Sequence, residues 1–256
     1  MKNRLLLFSI LLCNITFSQQ EKTYYAQFDH IVNPKNTSLS YGVLFKEKFR
    51  KLRGDHNYYL TNYFLTGNVN YQGEKFTDVI FKYDLVDDQV IVKIPDNDET
   101  FIFILENKLV SNFTIKDIAP IKSKTISIKE ELVISKLKRE LKTTNFINTN
   151  SSFGFVEPLT KNKFLSLYKK YKKKAYRKSK ENFVHFEFSE RVRYLLEYDG
   201  EFRFVKSKKD FVKIFPNLKK LISNQFKSKN YIRKKNPDAF YQELVKTINQ
   251  KLIEIN

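Results

Sequence analysis

Residues 63–116 of this 256-residue chain read YFLTGNVNYQGEKFTDVIFKYDLVDDQVIVKIPDNDETFIFILENKLVSNFTIK, and this stretch decides the fold. Four turn signals divide it: Gln72-Gly73, Asp87-Asp88, Asp96-Asn97-Asp98-Glu99 and Glu106-Asn107-Lys108. Between these turns, strand-forming residues alternate, and residues 78–85 place their apolar side chains on one face and Asp and Lys on the other. The stretch therefore predicts an antiparallel β-meander, with residues 100–105, apolar on both faces, at the centre of the sheet.

The N-terminus has the composition of a secretion signal. Lys2 and Arg4 precede an apolar run at residues 5–13, and residues 16–18 suit a signal peptidase. We therefore expect residues 1–18 to be removed and the protein to be periplasmic, associated with the outer membrane, or secreted. Cys13 raises the alternative of a lipid anchor, but two leucines precede it where lipoprotein processing needs small residues. No later apolar run is long enough to predict a transmembrane segment in the mature chain.

The net charge points to an anionic partner. It is +19 for the whole chain and +17 once Lys2 and Arg4 leave with the signal. A field of this sign attracts anionic surfaces and weakens with salt. Codon usage is a second explanation, because Lys, Asn, Ile, Phe and Tyr all have AT-rich codons. Cys13 is the only cysteine, so disulfides and thiol chemistry are excluded after removal of the signal.

Short strands are predicted elsewhere in the chain. Their patterns occupy residues 24–28, 41–52, 126–128, 153–159, 164–168 and 183–188. Residues 41–52 also fit a short helix, although a strand that leads into a turn is favoured. Residues 191–205 predict a hairpin around Asp199-Gly200, a pair that suits a type I′ turn. The polar residues 143–152 predict a loop.

Helices are predicted at 130–142 and at the end of the chain. Ser207 and Asp210 form a capping box for a helix that Pro216 interrupts. Asn236-Pro237 is a typical start for a final helix. The apolar stripe of that helix consists of Phe240, Leu244, Ile248, Leu252 and Ile255, and we expect it to pack on the preceding hairpin.

Together these patterns predict an α+β fold: an antiparallel β-meander, then a basic β-hairpin region, then C-terminal helices. The chain divides into the signal at residues 1–18, a β-rich region at 19–152 and a basic α+β region at 153–256. The last two regions are either separate domains or one interleaved domain.

Three groups of motifs are shared with a known group of proteins. They are GNVNYQGEKF at residues 67–76, FKYDL at 81–85 with DQVIV at 88–92, and KKDFVKIFP at 208–216 after the Asp199-Gly200 hairpin. In these motifs the chain resembles a family of uncharacterised secreted or envelope proteins from Gram-negative bacteria with AT-rich genomes. The resemblance covers most of the mature chain and implies an envelope or periplasmic address. The family has no known activity, so the resemblance assigns no catalytic residue.

The richest functional signal is residues 161–180, which contain ten basic residues and no acid. Lysines neutralise phosphates or sulfates, and tyrosines stack on sugars or bases. The segment predicts an anion-binding site formed by Lys169, Lys170, Lys172, Lys173, Lys174, Arg177, Lys178, Tyr171 and Tyr176. The competing interpretation is a solvated loop between strands, because concentrated like charges repel each other.

The expected export of the protein limits the kinds of partner that it can meet. An exported basic protein meets anionic lipid, lipopolysaccharide and acidic glycans, whereas export disfavours nucleic acid. An envelope protein that pairs with an exposed sheet edge is a further candidate partner. The sequence thus predicts a non-enzymatic envelope protein that binds an anionic envelope component or a protein partner.

Motifs for catalysis, cofactors and metals are missing from the sequence. It contains no G-x-S-x-G motif, no glycine-rich phosphate loop and no Cys-His pair. His30, His56 and His185 do not have metal-ligand spacing, and we expect each in a surface or turn position. No catalytic residue, cofactor or metal ligand is therefore assigned. The alternative function is a carboxylate-dependent hydrolase, because two distant acids can meet in a cleft of the sheet.

Overall fold

The computed structural model of this protein describes residues 36–52, 54–96, 99–118, 144–180 and 183–255. These residues form two compact units. The first comprises residues 36–46, 63–82, 90–96 and 99–118, and the second comprises 47–52, 54–62, 83–89, 144–180 and 183–255. The predicted signal, the strands at 24–28 and 126–128 and the helix at 130–142 lie outside the described residues.

The described part of the first unit is an antiparallel sheet in the order β1-β5-β4-β3-β2-β6. Its strands are β1 (Val43–Leu44), β2 (Leu65–Tyr71), β3 (Glu74–Asp84), β4 (Gln89–Asp96), β5 (Glu99–Ile104) and β6 (Val110–Ile118), of which the last two residues of β3 and the first residue of β4 belong to the second unit. Strands β2 to β5 lie side by side in chain order, as in the predicted meander, and β6 crosses back to pair with β2. Gln72 and Gly73 have φ angles of 53° and 83°, which a type I′ turn requires.

The strand buried on both faces is β4, not residues 100–105. Val90, Ile91 and Val92 are consecutive and all buried. In contrast, β5 lies beside the two-residue strand β1, and Phe101 and Phe103 are only half-buried. The prediction for residues 100–105 is wrong because apolar side chains on both faces do not determine the order of strands in a sheet.

The second unit contains the strands β7 (Thr144–Asn148), β8 (Phe155–Lys161), β9 (Leu165–Lys180), β10 (Phe183–Tyr198) and β11 (Glu201–Val205). They form antiparallel pairs in chain order. The loop predicted at residues 143–152 is therefore partly the strand β7. Its Phe146 is completely buried and packs on the rings of Tyr59, Tyr83 and Tyr171. Asp199 and Gly200 join β10 to β11 with φ angles of 53° and 72°.

The longest ladder of the second unit joins β9 to β10. Each strand has 16 residues, and the pairing is continuous from Leu165 opposite Tyr198 to Lys180 opposite Phe183. The interpretation of the basic segment at residues 161–180 as a solvated loop is wrong, because β9 takes up residues 165–180 of it.

The helices that follow are α1 (Lys208–Ile214), α2 (Lys219–Ser228), α3 (Asn230–Lys235) and α4 (Pro237–Ile255). The predicted capping box is confirmed, since the Asp210 carboxylate accepts hydrogen bonds from the Ser207 backbone and hydroxyl. Pro216 begins a short 3₁₀ turn between α1 and α2. The prediction of an α+β protein with an antiparallel sheet and C-terminal helices is confirmed. None of the described helices has the length and apolar character needed to cross a membrane.

The core of the second unit lies between its sheet and α4. Phe240, Leu244 and Ile248 from the predicted stripe are buried against Leu165, Leu167, Leu196 and Val205 of the sheet. Leu252 is partly buried at the margin of this cluster, whereas Ile255 is 66% exposed and does not belong to it. Burial of the stripe therefore fixes α4 on the face of the sheet that carries Leu165 and Leu167.

We expect Phe240→Ala to lower the free energy of unfolding by about 3–5 kcal/mol, because it leaves a cavity in this core. The matched control is Ile253→Ala on the same helix, where the side chain is 47% exposed and the loss should be about 0.5 kcal/mol or less. Urea denaturation monitored by circular dichroism measures both values. Equal small losses would show that α4 does not depend on this cluster.

Candidate anion-binding site

The predicted anion-binding residues lie on β9, where they alternate between two faces. Lys172, Lys174, Arg177 and Lys178 are exposed, Lys169, Tyr171 and Tyr176 are half-buried, and Lys170 and Lys173 are buried. The ladder brings all nine residues onto one strand. It does not bring them onto one surface, because successive side chains of a strand point to opposite faces.

Lys170 is buried and forms an ion pair with the half-buried Asp88. Its Nζ lies 2.7 Å from both carboxylate oxygens of Asp88 and donates a further hydrogen bond of 2.9 Å to the carbonyl oxygen of Phe155. The hydroxyl of Tyr83 donates to the same carboxylate at 2.5 Å. Burial lowers the pKa of Lys170, and the charge of Asp88 opposes this shift. The ammonium group is therefore held inside the unit by three oxygen atoms.

Gly154 makes room for the Asp88 carboxylate. It has a φ angle of 62°, and a Cβ atom at this position would lie 1.9 Å from Asp88 Oδ2. Any side chain at position 154 would thus displace the partner of Lys170 in addition to being strained by the left-handed backbone.

Lys173 is held by backbone carbonyl groups. Its Nζ donates to the carbonyl oxygens of His56 and Tyr58 at 2.9 and 3.0 Å, and Glu190 lies 3.9 Å away. Burial lowers the pKa of Lys173. Burial, together with the neighbouring charge of Lys173, lowers the pKa of His56 to about 4. Lys173 thus fixes the loop that contains His56 and Tyr58 to β9.

Two more of the predicted residues have partners within the unit. Lys169 Nζ lies 2.7 Å from Asp238 Oδ2, and the hydroxyl of Tyr194 donates to the other oxygen of this carboxylate at 2.5 Å. Tyr171 donates its hydroxyl hydrogen to Glu157 at 2.7 Å. Lys169, Lys170, Lys173 and Tyr171 therefore serve the fold, and Lys172 and Lys174 remain as exposed cations at the middle of β9.

These exposed lysines lie beside arginines of β10. Arg191 pairs with Lys172 across the ladder, and Arg193 pairs with Lys170. A cavity of about 420 Å³ is lined by Phe49, Val86, Lys172, Lys173, Lys174, Ala175, Arg191 and Arg193. None of these lining residues is acidic, so positive charge accumulates at this surface.

A larger cavity of about 730 Å³ shares Arg191 and Arg193 with the first one. Its other lining residues are Val192, Tyr194, Phe204, Val205, Lys206, Arg233, Lys234, Pro237 and Tyr241. Five of the lining residues are basic and none is acidic. Arg193 lies over the ring of Phe204 at 5.1 Å, and Arg233 over that of Phe226 at 5.6 Å, so aromatic rings position two of the guanidinium groups. We call the two cavities together the arginine groove.

The arginines of this groove were not among the sequence-predicted residues. Arg191 and Arg193 alternate around Val192 within the predicted hairpin, and Arg233 and Lys234 belong to a basic run at residues 233–235. Both patterns are visible in the sequence and indicate that these segments are basic. What brings the two segments together is the packing of α3 and α4 beside the end of β11, which a sequence pattern does not encode.

The described histidines and acids do not form a metal site. No group of three or more His, Cys, Asp or Glu side chains with metal-binding geometry occurs in the described ranges. His185 is buried at 4% exposure, so the expectation of a surface or turn position is wrong for this residue. Its ring centroid lies 5.6 Å from that of Phe183 on the same strand.

Comparisons with known proteins returned nothing to set beside these observations: no family model matches the chain, and no curated protein or solved structure does.

We expect Lys170→Met to lower the free energy of unfolding at pH 7 by about 3 kcal/mol, because the substitution leaves the Asp88 carboxylate without its cation. The matched control is Lys172→Met, two residues along the same strand and exposed, which should change stability by about 0.5 kcal/mol or less. Chemical denaturation measures both. Equal effects of the two substitutions would contradict a structural role for Lys170.

The lowered pKa of His56 predicts a pH dependence of stability. Between pH 6.5 and about 4 the unfolded chain binds a proton at His56 that the folded protein does not bind, so stability falls as the pH falls through this window. In the His56→Asn variant, the loss of stability that His56 causes between pH 6.5 and about 4 disappears. Above pH 7, the free energies of unfolding of the two proteins should depend on pH with the same slope. Urea denaturation from pH 4 to 8 tests this, and parallel curves for the two proteins would refute it.

Proposed function

We propose that this protein is a non-enzymatic protein of the cell envelope that binds an anionic partner through the arginine groove. The observation that supports the proposal is the shared lining of the two cavities: Arg191 and Arg193 belong to both, and none of the lining residues is acidic. The basic β-hairpin region expected from the sequence corresponds in this proposal to the β9–β10 ladder.

The cations of the groove differ from the other cations of the β9–β10 ladder in their ion pairs. Elsewhere on β9 and β10, cations lie close to acids, as in the pairs of Lys169 with Asp238 and Lys170 with Asp88. At the groove, the guanidinium groups of Arg191 and Arg193 make no ion pair with any described residue. A ligand with carboxylate, phosphate or sulfate groups would supply the missing negative charge. Arginine is suited to this role because its planar fork binds two oxygen atoms at once.

Anionic lipid, lipopolysaccharide, acidic glycan and acidic protein segments all carry such groups. The secretion signal expected at residues 1–18 would deliver the protein to a compartment where these partners occur. The expected export and envelope address are part of this proposal.

The alternative of a carboxylate-dependent hydrolase requires two acids at one cavity. A third cavity, of about 150 Å³ in the first unit, has Asp78 in its lining, and the two cavities of the arginine groove have no acidic lining residue. The buried acid Asp84 accepts hydrogen bonds from Asn57 and from the backbone of Val86 and Asp87, so it stabilises a turn. These three cavities therefore give no support to the alternative.

We expect the double substitution Arg191→Gln and Arg193→Gln to weaken binding of dextran sulfate about tenfold, because two unpaired cations are removed from the groove. The plot of log binding constant against log salt concentration should lose up to about two units of slope. Vesicles that contain lipopolysaccharide provide a second probe of the same kind. Isothermal titration calorimetry at several salt concentrations measures both the loss of affinity for dextran sulfate and the change in slope.

The control substitutes Lys219→Gln and Lys220→Gln, two exposed cations in the first turn of α2 that line neither cavity. It removes the same charge from another surface, and we expect binding to change less than twofold. If both double variants lose the same affinity, the proposed groove is refuted and only the net charge of the chain attracts polyanions.

A further inference from the structure

Within the part of the chain that the structure describes, the outer edge of β10 has an uncovered stretch beside the arginine groove. Strand β11 pairs with β10 from Tyr194 to Tyr198. Further along, Lys51 forms a bridge with Phe186, and Asp55 accepts a hydrogen bond from the backbone N–H of Phe188. Between these two places, residues 189–193 pair with no other segment of the described chain except β9.

Strand geometry places backbone hydrogen-bonding groups on this edge. The N–H groups of Phe186 and Phe188 point away from β9, because they donate to Arg50 and Asp55. In an antiparallel strand every second residue directs both its N–H and its C=O to the same edge. Glu190 and Val192 therefore present two donors and two acceptors at the uncovered stretch, which is about 17 Å long at 3.4 Å per residue.

The side chains around this edge differ between its two faces. Arg191 and Arg193 share one face with Lys172 and Lys170, their partners across the ladder. On the other face, Val192 is 42% exposed and Tyr194 packs on Tyr241 with ring centroids 4.3 Å apart. The acid of this stretch, Glu190, lies on the face of Val192 and is 3.9 Å from Lys173.

The larger cavity follows the same edge. Its lining includes all four residues from Arg191 to Tyr194, hence both faces of β10, together with Val205 and Lys206 at the end of β11. A cavity bounded in this way lies alongside the strand and continues the line of β11. An extended chain placed there would thus extend the sheet.

We propose that this edge binds an extended acidic peptide segment of a partner protein by strand addition, with acidic side chains beside Arg191 and Arg193 and apolar side chains beside Val192. The inference rests on the proposed function and assigns its ligand class. A peptide backbone satisfies both the donors and the acceptors of Glu190 and Val192, and this is the basis of recognition by strand addition. A sulfate or phosphate group supplies acceptors alone and leaves the two carbonyl groups unpaired.

The probe is a fluorescent, end-capped peptide of sequence EVEVE, whose length matches the uncovered stretch. We expect it to bind with a dissociation constant at least tenfold lower than that of KVKVK, as measured by fluorescence anisotropy. A second version carries N-methyl groups on the amides that face β10, so it keeps the charge but lacks those hydrogen-bond donors. It should bind at least tenfold more weakly than the unmodified EVEVE peptide.

A matched substitution in the protein is Val192→Pro, which removes one outward N–H and leaves the charge unchanged. Proline is tolerated at an edge position whose N–H has no partner, so circular dichroism and the melting temperature should change little. This variant should lose EVEVE binding at least tenfold while it still binds dextran sulfate. The Arg191→Gln and Arg193→Gln double variant should lose both.

Two results would overturn strand addition and still leave the proposed function intact. One is equal binding of the methylated and unmethylated peptides, with affinity still dependent on Arg191 and Arg193. The other is arginine-dependent binding of lipopolysaccharide vesicles without measurable binding of EVEVE, which would identify a lipid or glycan ligand. If neither peptide nor polyanion binding depends on the two arginines, the proposed function fails together with this inference.

Discussion

The continuous ladder between β9 and β10 is the constraint on which the second unit depends. It aligns 16 residues of each strand, and one of these strands carries most of the basic segment. Such a segment would repel itself as an isolated strand. The fold offsets this repulsion because Lys169, Lys170 and Lys173 each donate hydrogen bonds to oxygen atoms from elsewhere in the same unit.

These partners explain why the short segments at residues 47–62 and 83–89 belong to the second unit, although they are distant in sequence from its sheet. Asp88 binds Lys170, the carbonyl groups of His56 and Tyr58 bind Lys173, and the carbonyl group of Leu85 accepts a hydrogen bond from the backbone of Lys173. Each contact is made to a buried cation or to its backbone. A buried cation without such partners is strongly unfavourable, so these segments and β9 depend on each other.

The functional surface is defined by the cations of the second unit that have no internal acidic partner. Lys169 and Lys170 have internal acidic partners and contribute to stability. Arg191 and Arg193 line both cavities of the arginine groove and make no ion pair with any described residue. The ladder places Arg191 opposite Lys172, and the helices add Arg233 and Lys234. Because β11 ends at Val205, no described segment pairs with the outer edge of β10 at residues 189–193, beside the basic lining of the groove. Charge and hydrogen-bonding capacity therefore occur together at one edge, which is the physical basis of both proposals.

The sequence by itself determined the local features of this protein. The Gln72-Gly73 turn, the Ser207–Asp210 capping box and the buried stripe of α4 follow from backbone preference and from periodicity within a few residues. Only the tertiary structure decided which strand is buried on both faces, that the basic segment is a strand, and which cations remain exposed. Those outcomes depend on partners far away in the chain. Lys170 and Lys172 are the same residue type in the same run, and what distinguishes them is a carboxylate 82 positions away from Lys170 in sequence.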